Sequence, residues 1–186
     1  IWCPLWAFID RKTINEKIAQ GDEVWSYTAL VQRSPRNHPG GEYVRNLDPP
    51  YWHIDNFLSA YRVPFWINWQ YNITGYLYWS SITYYKNAWS NPESGSSSRY
   101  NGGGFLFYPG TPCGIDGPIA CMRVKNVRDG FEDYEYLTIL KKLAGKEAAD
   151  RIVNTISPSW WEFSKEPADF IEAREKLAEE ILKAME

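Results

Sequence analysis

Two sets of side chains in this sequence have types and spacing suited to chemistry on a ligand. The first is aromatic: Trp25 and Tyr27 lie two residues apart, Trp79 closes the run Gly75-Tyr76-Leu77-Tyr78-Trp79, and Tyr108 precedes Pro109-Gly110. Indole and phenol faces are surfaces on which sugar rings and other π-compatible ligands stack, and a phenol adds a hydrogen-bonding hydroxyl. The same rings are ordinary core material, so platform and core are both open readings. The second set is the adjacent carboxylate pair Asp22-Glu23, because paired carboxyl groups are the usual currency of acid–base chemistry. Other reactive types are sparse. Three cysteines (Cys3, Cys113, Cys121) have no CxxC spacing, and two isolated histidines (His38, His53) form no cluster with them. That set predicts free thiols, no metal site and no cofactor.

Composition narrows the partners. The chain has 186 residues, 44% hydrophobic and 23% charged, with a formal net charge of -3, which predicts a folded domain of common size. No apolar run reaches the roughly 18 residues of a membrane-spanning helix, and basic and acidic residues are balanced along the chain. Neither membrane nor nucleic acid is an expected partner. The anomaly is aromatic: of 31 Phe, Tyr and Trp residues, 24 precede residue 119. Ten Trp exceed the usual needs of one small core, so a stacking platform for sugar rings or other π-compatible ligands stands beside plain core as an equal reading of the composition.

The elements that would position these rings follow from pattern. Ile1-Trp2-Cys3-Pro4-Leu5 reads as the inside of a buried strand with no leader ahead of it, which predicts a chain cut from something longer. A short helix follows, with Thr13 as N-cap and Glu16 three residues on, ending at Gly21. Residues 23–30 form a β-rich run, 33–50 a proline-rich loop, and Tyr51 to Asn72 has helical spacing with a kink expected at Pro64. Gly75–Trp79 and Gly104–Tyr108 read as buried strands, separated by a long loop containing Asn91–Ser98 and Gly102-Gly103-Gly104. Helical periodicity then runs from Ile119 to Gly145, followed by helices over 146–156 and 167–185.

Strand, helix, strand, helix, strand, loop, strand, helix is α/β alternation and predicts a mostly parallel sheet. About four parallel strands are too few for a closed (β/α)₈ barrel, and an isolated half leaves unpaired edges. The expectation is the C-terminal half of a TIM-type barrel over residues 1–145, completed by an upstream half or by self-association, with a helical extension over 146–186. A short open α/β sandwich is the alternative.

Four strings carry a resemblance when taken in order: residues 21–28 (Gly-Asp-Glu-Val-Trp-Ser-Tyr-Thr), 65–79 from Phe65-Trp66-Ile67-Asn68 to Trp79, 105–110 (Phe-Leu-Phe-Tyr-Pro-Gly), and Arg123 with residues 128–136 (Arg-Asp-Gly-Phe-Glu-Asp-Tyr-Glu-Tyr). Together they resemble the C-terminal part of the glycoside hydrolase family 123-type catalytic domain, also filed as domain of unknown function 4091. That resemblance implies a (β/α)₈ barrel cleaving terminal β-linked N-acetylhexosamine, typically N-acetylgalactosamine, with the substrate's own acetamido oxygen as nucleophile. It also implies an adjacent Asp-Glu pair after a mid-barrel strand. Asp22-Glu23 instead precedes its strand and so falls at the rim opposite the one where barrel active sites lie. It reads as a turn and strand-start feature, with the catalytic pair outside this chain.

What remains is the wall of a sugar site: Tyr27, Trp79, Tyr108 and Trp25 as substrate-binding candidates. Core packing competes for Trp25, Tyr27 and Tyr108, and Trp66 and Trp69 read as helix-to-sheet packing. Arg123, Arg128, Asp129 and Glu132 read as structural anchors, with Arg123 and Arg128 buried and Arg128 and Glu132 spaced i, i+4 on a helix. Gly130 inside that helix predicts close approach of another element. Lys125 stands where the family pattern more often has Glu. A non-catalytic carbohydrate-binding or scaffold domain is the reading from another class.

Overall fold

The computed structural model describes residues 1–6, 9–28, 50–83, 85–94 and 97–186. Most of the expected 33–50 loop, the end of the 23–30 run and two positions of the Asn91–Ser98 stretch lie outside the described residues. Helix α1 (Arg11–Ala19) starts at Asp10, whose carboxylate accepts the Thr13 N–H at 2.9 Å. Thr13 is thus the residue being capped, not the cap; an aspartate in extended backbone three residues earlier does the capping.

The parallel part of the fold is built in chain order. Strand β1 (Trp25–Thr28) pairs in parallel with β2 (Gly75–Tyr78), Trp25 opposite Gly75 and Thr28 opposite Tyr78. On the other side of β1 the N-terminal segment makes parallel bridges, Trp2 to Val24 and Leu5 to Tyr27. Backbone bonds Trp2 N–H to Glu23 O (2.8 Å), Trp25 N–H to Trp2 O (2.9 Å) and Tyr27 N–H to Pro4 O (3.1 Å) hold it there. Helix α2 (Val63–Gln70) returns the chain from β1 to β2. The expected kinked helix over 51–72 is therefore shorter: a 3₁₀ turn at Leu58–Tyr61 precedes α2, and Pro64 sits in the first turn. A first-turn residue needs no intrahelical donor, so proline starts this helix instead of bending it.

Alternation along β1 and β2 gives the sheet two unlike faces. Ser26 and Thr28 are buried beneath the helices, and the Ser26 hydroxyl donates to Asn68 Oδ1 on α2 at 3.0 Å. Tyr76 and Tyr78 share that face; Tyr76 stacks on Trp52 with ring centroids 4.8 Å apart. The other face carries Trp25, Tyr27 and Leu77, and Leu77 is exposed.

The expected fourth parallel strand is not formed. Phe105 bridges antiparallel to Ile82, and β5 (Phe107–Pro109) pairs antiparallel with β6 (Pro118–Ala120). Gly102 and Gly104 take positive φ and interrupt the extended run, while Gly110 lies so close to Gly117 O that a Cβ would meet it at 2.3 Å. The chain thus doubles back on itself at Pro109-Gly110 and pairs with its own continuation. A further short antiparallel pair joins β3 (Glu93–Ser94) and β4 (Ser97–Asn101). Among the described residues the fold is mixed α/β with a two-stranded parallel sheet and a helical C-terminal tail, not four parallel strands.

Helices α3 (Met122–Ala144), α4 (Lys146–Ile156) and α5 (Pro167–Ala184) form that tail. Gly145, with φ of 86°, reverses the chain between the first two. Their apolar stripes join α2 in one core that holds Trp66, Ile67, Leu137, Leu140, Phe170 and Leu177. A Cβ at Gly130 would meet the Phe65 ring at 2.2 Å and Arg62 O at 3.1 Å, so α2 crosses α3 at the one residue without a side chain. Helices α4 and α5 therefore share a core with the first 145 residues.

Candidate functional site

The open face of the parallel sheet holds the first pair of expected site residues. Trp25 lies over Gly75, where a Cβ would come within 2.4 Å of the indole, and its Nε1 donates to Glu23 Oε1 at 3.0 Å. The same oxygen accepts the Thr74 hydroxyl at 3.0 Å. These two bonds, Trp25's first, hold the Glu23 carboxyl below the usual carboxylate range. Asp22 pairs at 3.9 Å with Lys17 on α1. Both carboxylates are thus engaged at the N-terminal start of β1. Tyr27, half-buried on the same face as Trp25, stands opposite Leu77 and bridges to Leu5; burial pushes its phenol up.

Trp79 follows β2 directly and lies half-buried against Gly104, whose Cβ, were there one, would meet the ring at 2.3 Å. Its Nε1 is buried without a hydrogen-bond partner among the described residues. The support beneath it is specific. Tyr78, on the opposite side of the strand, donates its hydroxyl to Trp52 O at 3.1 Å and accepts the Gly104 N–H at 2.9 Å. Burial raises the Tyr78 phenol, keeping it a neutral donor. One tyrosine therefore fixes the glycine on which the neighbouring indole rests. Glycine is needed at 104 because the contact leaves no room for Cβ and φ is +81°.

Tyr108 belongs to a second group. Its ring packs on Trp89 at 4.6 Å and edge-on to Phe105 at 5.4 Å, and it lines a cavity of about 330 Å³ with Tyr61, Cys121 and Arg123. Arg123 is buried, donates from Nη1 to Gly102 O at 2.6 Å and lies 5.1 Å from the Phe105 ring centre. Gly102–Gly104 is thus shared, gripped by Arg123 at one end and by Tyr78 and Trp79 at the other.

The expected anchors divide differently from their motif. Arg128 is not buried: its side chain is 59% exposed and pairs with Asp129 at 2.8 Å and Glu132 at 3.2 Å, because that side of α3 faces solvent. Glu132 also meets Arg174 of α5 at 3.1 Å, and the Asp129 carbonyl accepts from the same guanidinium at 2.5 Å. The centre of the cluster is Asp133, which sequence reasoning did not single out. It is fully buried and accepts from Arg62 (2.5 and 2.8 Å), Trp66 Nε1 (2.9 Å) and Arg174 Nε (2.6 Å). A signal existed: an acidic residue in register with Val127, Leu137 and Leu140 on the buried side of an amphipathic helix needs a buried partner.

The family model described as glycoside hydrolase 123, catalytic domain, matches residues 7–140. No curated protein matches the chain.

Proposed function

The chain belongs to the glycoside hydrolase 123 catalytic-domain family, and from that premise we propose that it forms the sugar-binding wall of a barrel enzyme acting on terminal β-N-acetylhexosaminides. Membership itself gives a glycosidase-related function. The observation that carries the finer reading is the open sheet face. Three parallel segments follow one another in chain order through α1 and α2, and the face turned away from the helices presents Trp25, Tyr27 and Leu77. In a (β/α)₈ barrel the face away from the helices is the interior, and ligands bind at the C-terminal strand ends, where Tyr27 and Trp79 stand.

In this reading the Trp79 indole is the floor of a sugar subsite, and the Tyr27 hydroxyl hydrogen-bonds the acetamido carbonyl. Trp25, lower on the same face, packs over Gly75 beneath the sugar. Tyr108 closes the side of the site from its own strand. During hydrolysis the acetamido oxygen attacks the anomeric carbon, the glycosidic C–O bond breaks, and a protonated carboxyl gives its proton to the leaving oxygen. A second carboxylate orients the acetamido nitrogen. Asp22 and Glu23 are at the wrong strand end for either role, so both groups come from another part of the barrel, supplied by an upstream half or a second copy. That same placement favours the second reading, a carbohydrate-binding or scaffold domain without hydrolytic chemistry of its own.

Titration of the chain with N-acetylgalactosamine and with galactose, followed by indole NMR signals, tests the proposal. N-acetylgalactosamine is expected to shift the Trp79 signal at concentrations where galactose does not. Equal responses to both sugars, or none at Trp79, would overturn it.

A further inference from the structure

Beside the start of α3 the protein buries a positive charge that no carboxylate answers among the described residues. Arg123 is 6% exposed, and its Nη1 is used by Gly102 O at 2.6 Å. Its Nη2 has no hydrogen-bond partner among the described residues. The Tyr61 hydroxyl lies beside the guanidinium but gives its proton to His53 O at 2.6 Å. No described ion pair includes Arg123, whereas Arg62, also buried, has Asp133. A buried guanidinium left without an anion is costly, and the cost is removed if an anion arrives from outside.

The space for one is present. Arg123 lines the cavity of about 330 Å³, and among the described residues lining it Arg123 alone is charged. Ile54, Leu58 and Met122, all exposed, form an apolar rim, with Tyr61 and Tyr108 adding ring faces. The first turn of α3 also lacks a side-chain cap, because the Cys121 thiol at its head donates to Leu106 O at 3.0 Å. Uncapped N–H groups at a helix start favour negative charge.

We propose that this cavity binds an organic monocarboxylate with a small apolar body, its carboxylate on Arg123 Nη2 and its body against Ile54, Leu58 and Met122. A single charge matches the single free guanidinium edge, and the apolar rim disfavours a fully hydrated dianion. The assignment goes beyond the glycosidase reading and does not rest on it, although Tyr108 borders both sites.

The test is calorimetric titration of the chain with benzoate, benzamide and inorganic phosphate, each monitored for competition with the others. Benzoate is expected to bind, with benzamide and phosphate at least about tenfold weaker, which is about 1.4 kcal/mol. Met122→Glu, which places a carboxylate at the exposed rim without touching the core, is expected to weaken benzoate by about tenfold or more. Arg123→Gln is expected to abolish it; should that variant fail to fold, the Met122→Glu result decides. No benzoate binding, equal binding of benzamide, phosphate binding as tight as benzoate, or indifference to Met122→Glu would each overturn the proposal.

Discussion

Arg62 and Asp133, 71 residues apart in sequence, meet as a two-bond ion pair inside the protein, Nε to Oδ2 at 2.5 Å and Nη2 to Oδ1 at 2.8 Å. The pair locks α2 against α3, and Arg174 brings α5 to the same carboxylate at 2.6 Å. Three helices are therefore tied at one side chain. Replacing Asp133 with Ala leaves two arginines and the Trp66 N–H without their acceptor, and breaking a buried pair this way costs about 3–5 kcal/mol. Urea denaturation is expected to show a loss in that range; a loss below 1 kcal/mol, on the scale of an exposed pair, would sink the clamp.

Gly130 sits where α2 crosses α3, with Phe65 in the place of a Cβ at 2.2 Å. Alanine is the better helix former by about 1 kcal/mol, so an open helix surface would gain from the change. Here Gly130→Ala is expected to lose about 1–3 kcal/mol through overpacking. Thermal melting of the variant decides the sign, and a raised Tm would show that the helices separate without cost.

Trp79 rests on Gly104 and is not part of either buried core cluster. Trp79→Ala is expected to weaken N-acetylhexosamine binding by about 1–3 kcal/mol, the scale of a large lost contact, while the melting temperature changes little. A stability loss of about 3–5 kcal/mol with unchanged sugar affinity would make Trp79 core and remove it from the site.

Burial pushes the phenols of Tyr61, Tyr76, Tyr78 and Tyr134 above their ordinary value of 10.0. Above pH 10 the unfolded chain loses these protons first, so it binds fewer protons than the folded chain and stability falls as pH rises. Below pH 10 the contribution is fully present. Each phenol withheld from ionisation costs about 1.4 kcal/mol per pH unit beyond that point. Denaturation midpoints from pH 9 to 12, read beside phenolate absorbance, are expected to drop together with a delayed rise in absorbance; a flat stability profile would contradict it.

The open face with Tyr27 and Leu77, and the strand edges beside it, predict concentration-dependent association. Light scattering during size-exclusion chromatography is expected to show masses above that of the 21.7 kDa chain. Leu77→Lys, placing a charge in the middle of that face, is expected to shift the protein toward monomer. A monomer at high concentration in the unmodified chain would remove the half-barrel reading.

The amino-acid sequence determined those features that depend on neighbours along the chain. The helices α3, α4 and α5 are legible from apolar spacing, and the break at Gly145 from its backbone freedom, because a helix closes its hydrogen bonds within itself. The four family strings and the aromatic excess belong to the same level. What only the tertiary structure decided is which distant group each residue meets. Gly104–Tyr108 looks like any buried strand until Pro118–Ala120 supplies its antiparallel partner, since a strand's bonds are made outside itself. In the Arg128–Tyr136 string charges lie all around the helix, so spacing alone could not tell that Arg128 faces water and Asp133 faces two arginines. The position of α2 and α5 against α3 made that choice, because burial, not sequence spacing, determines which charge must be paired.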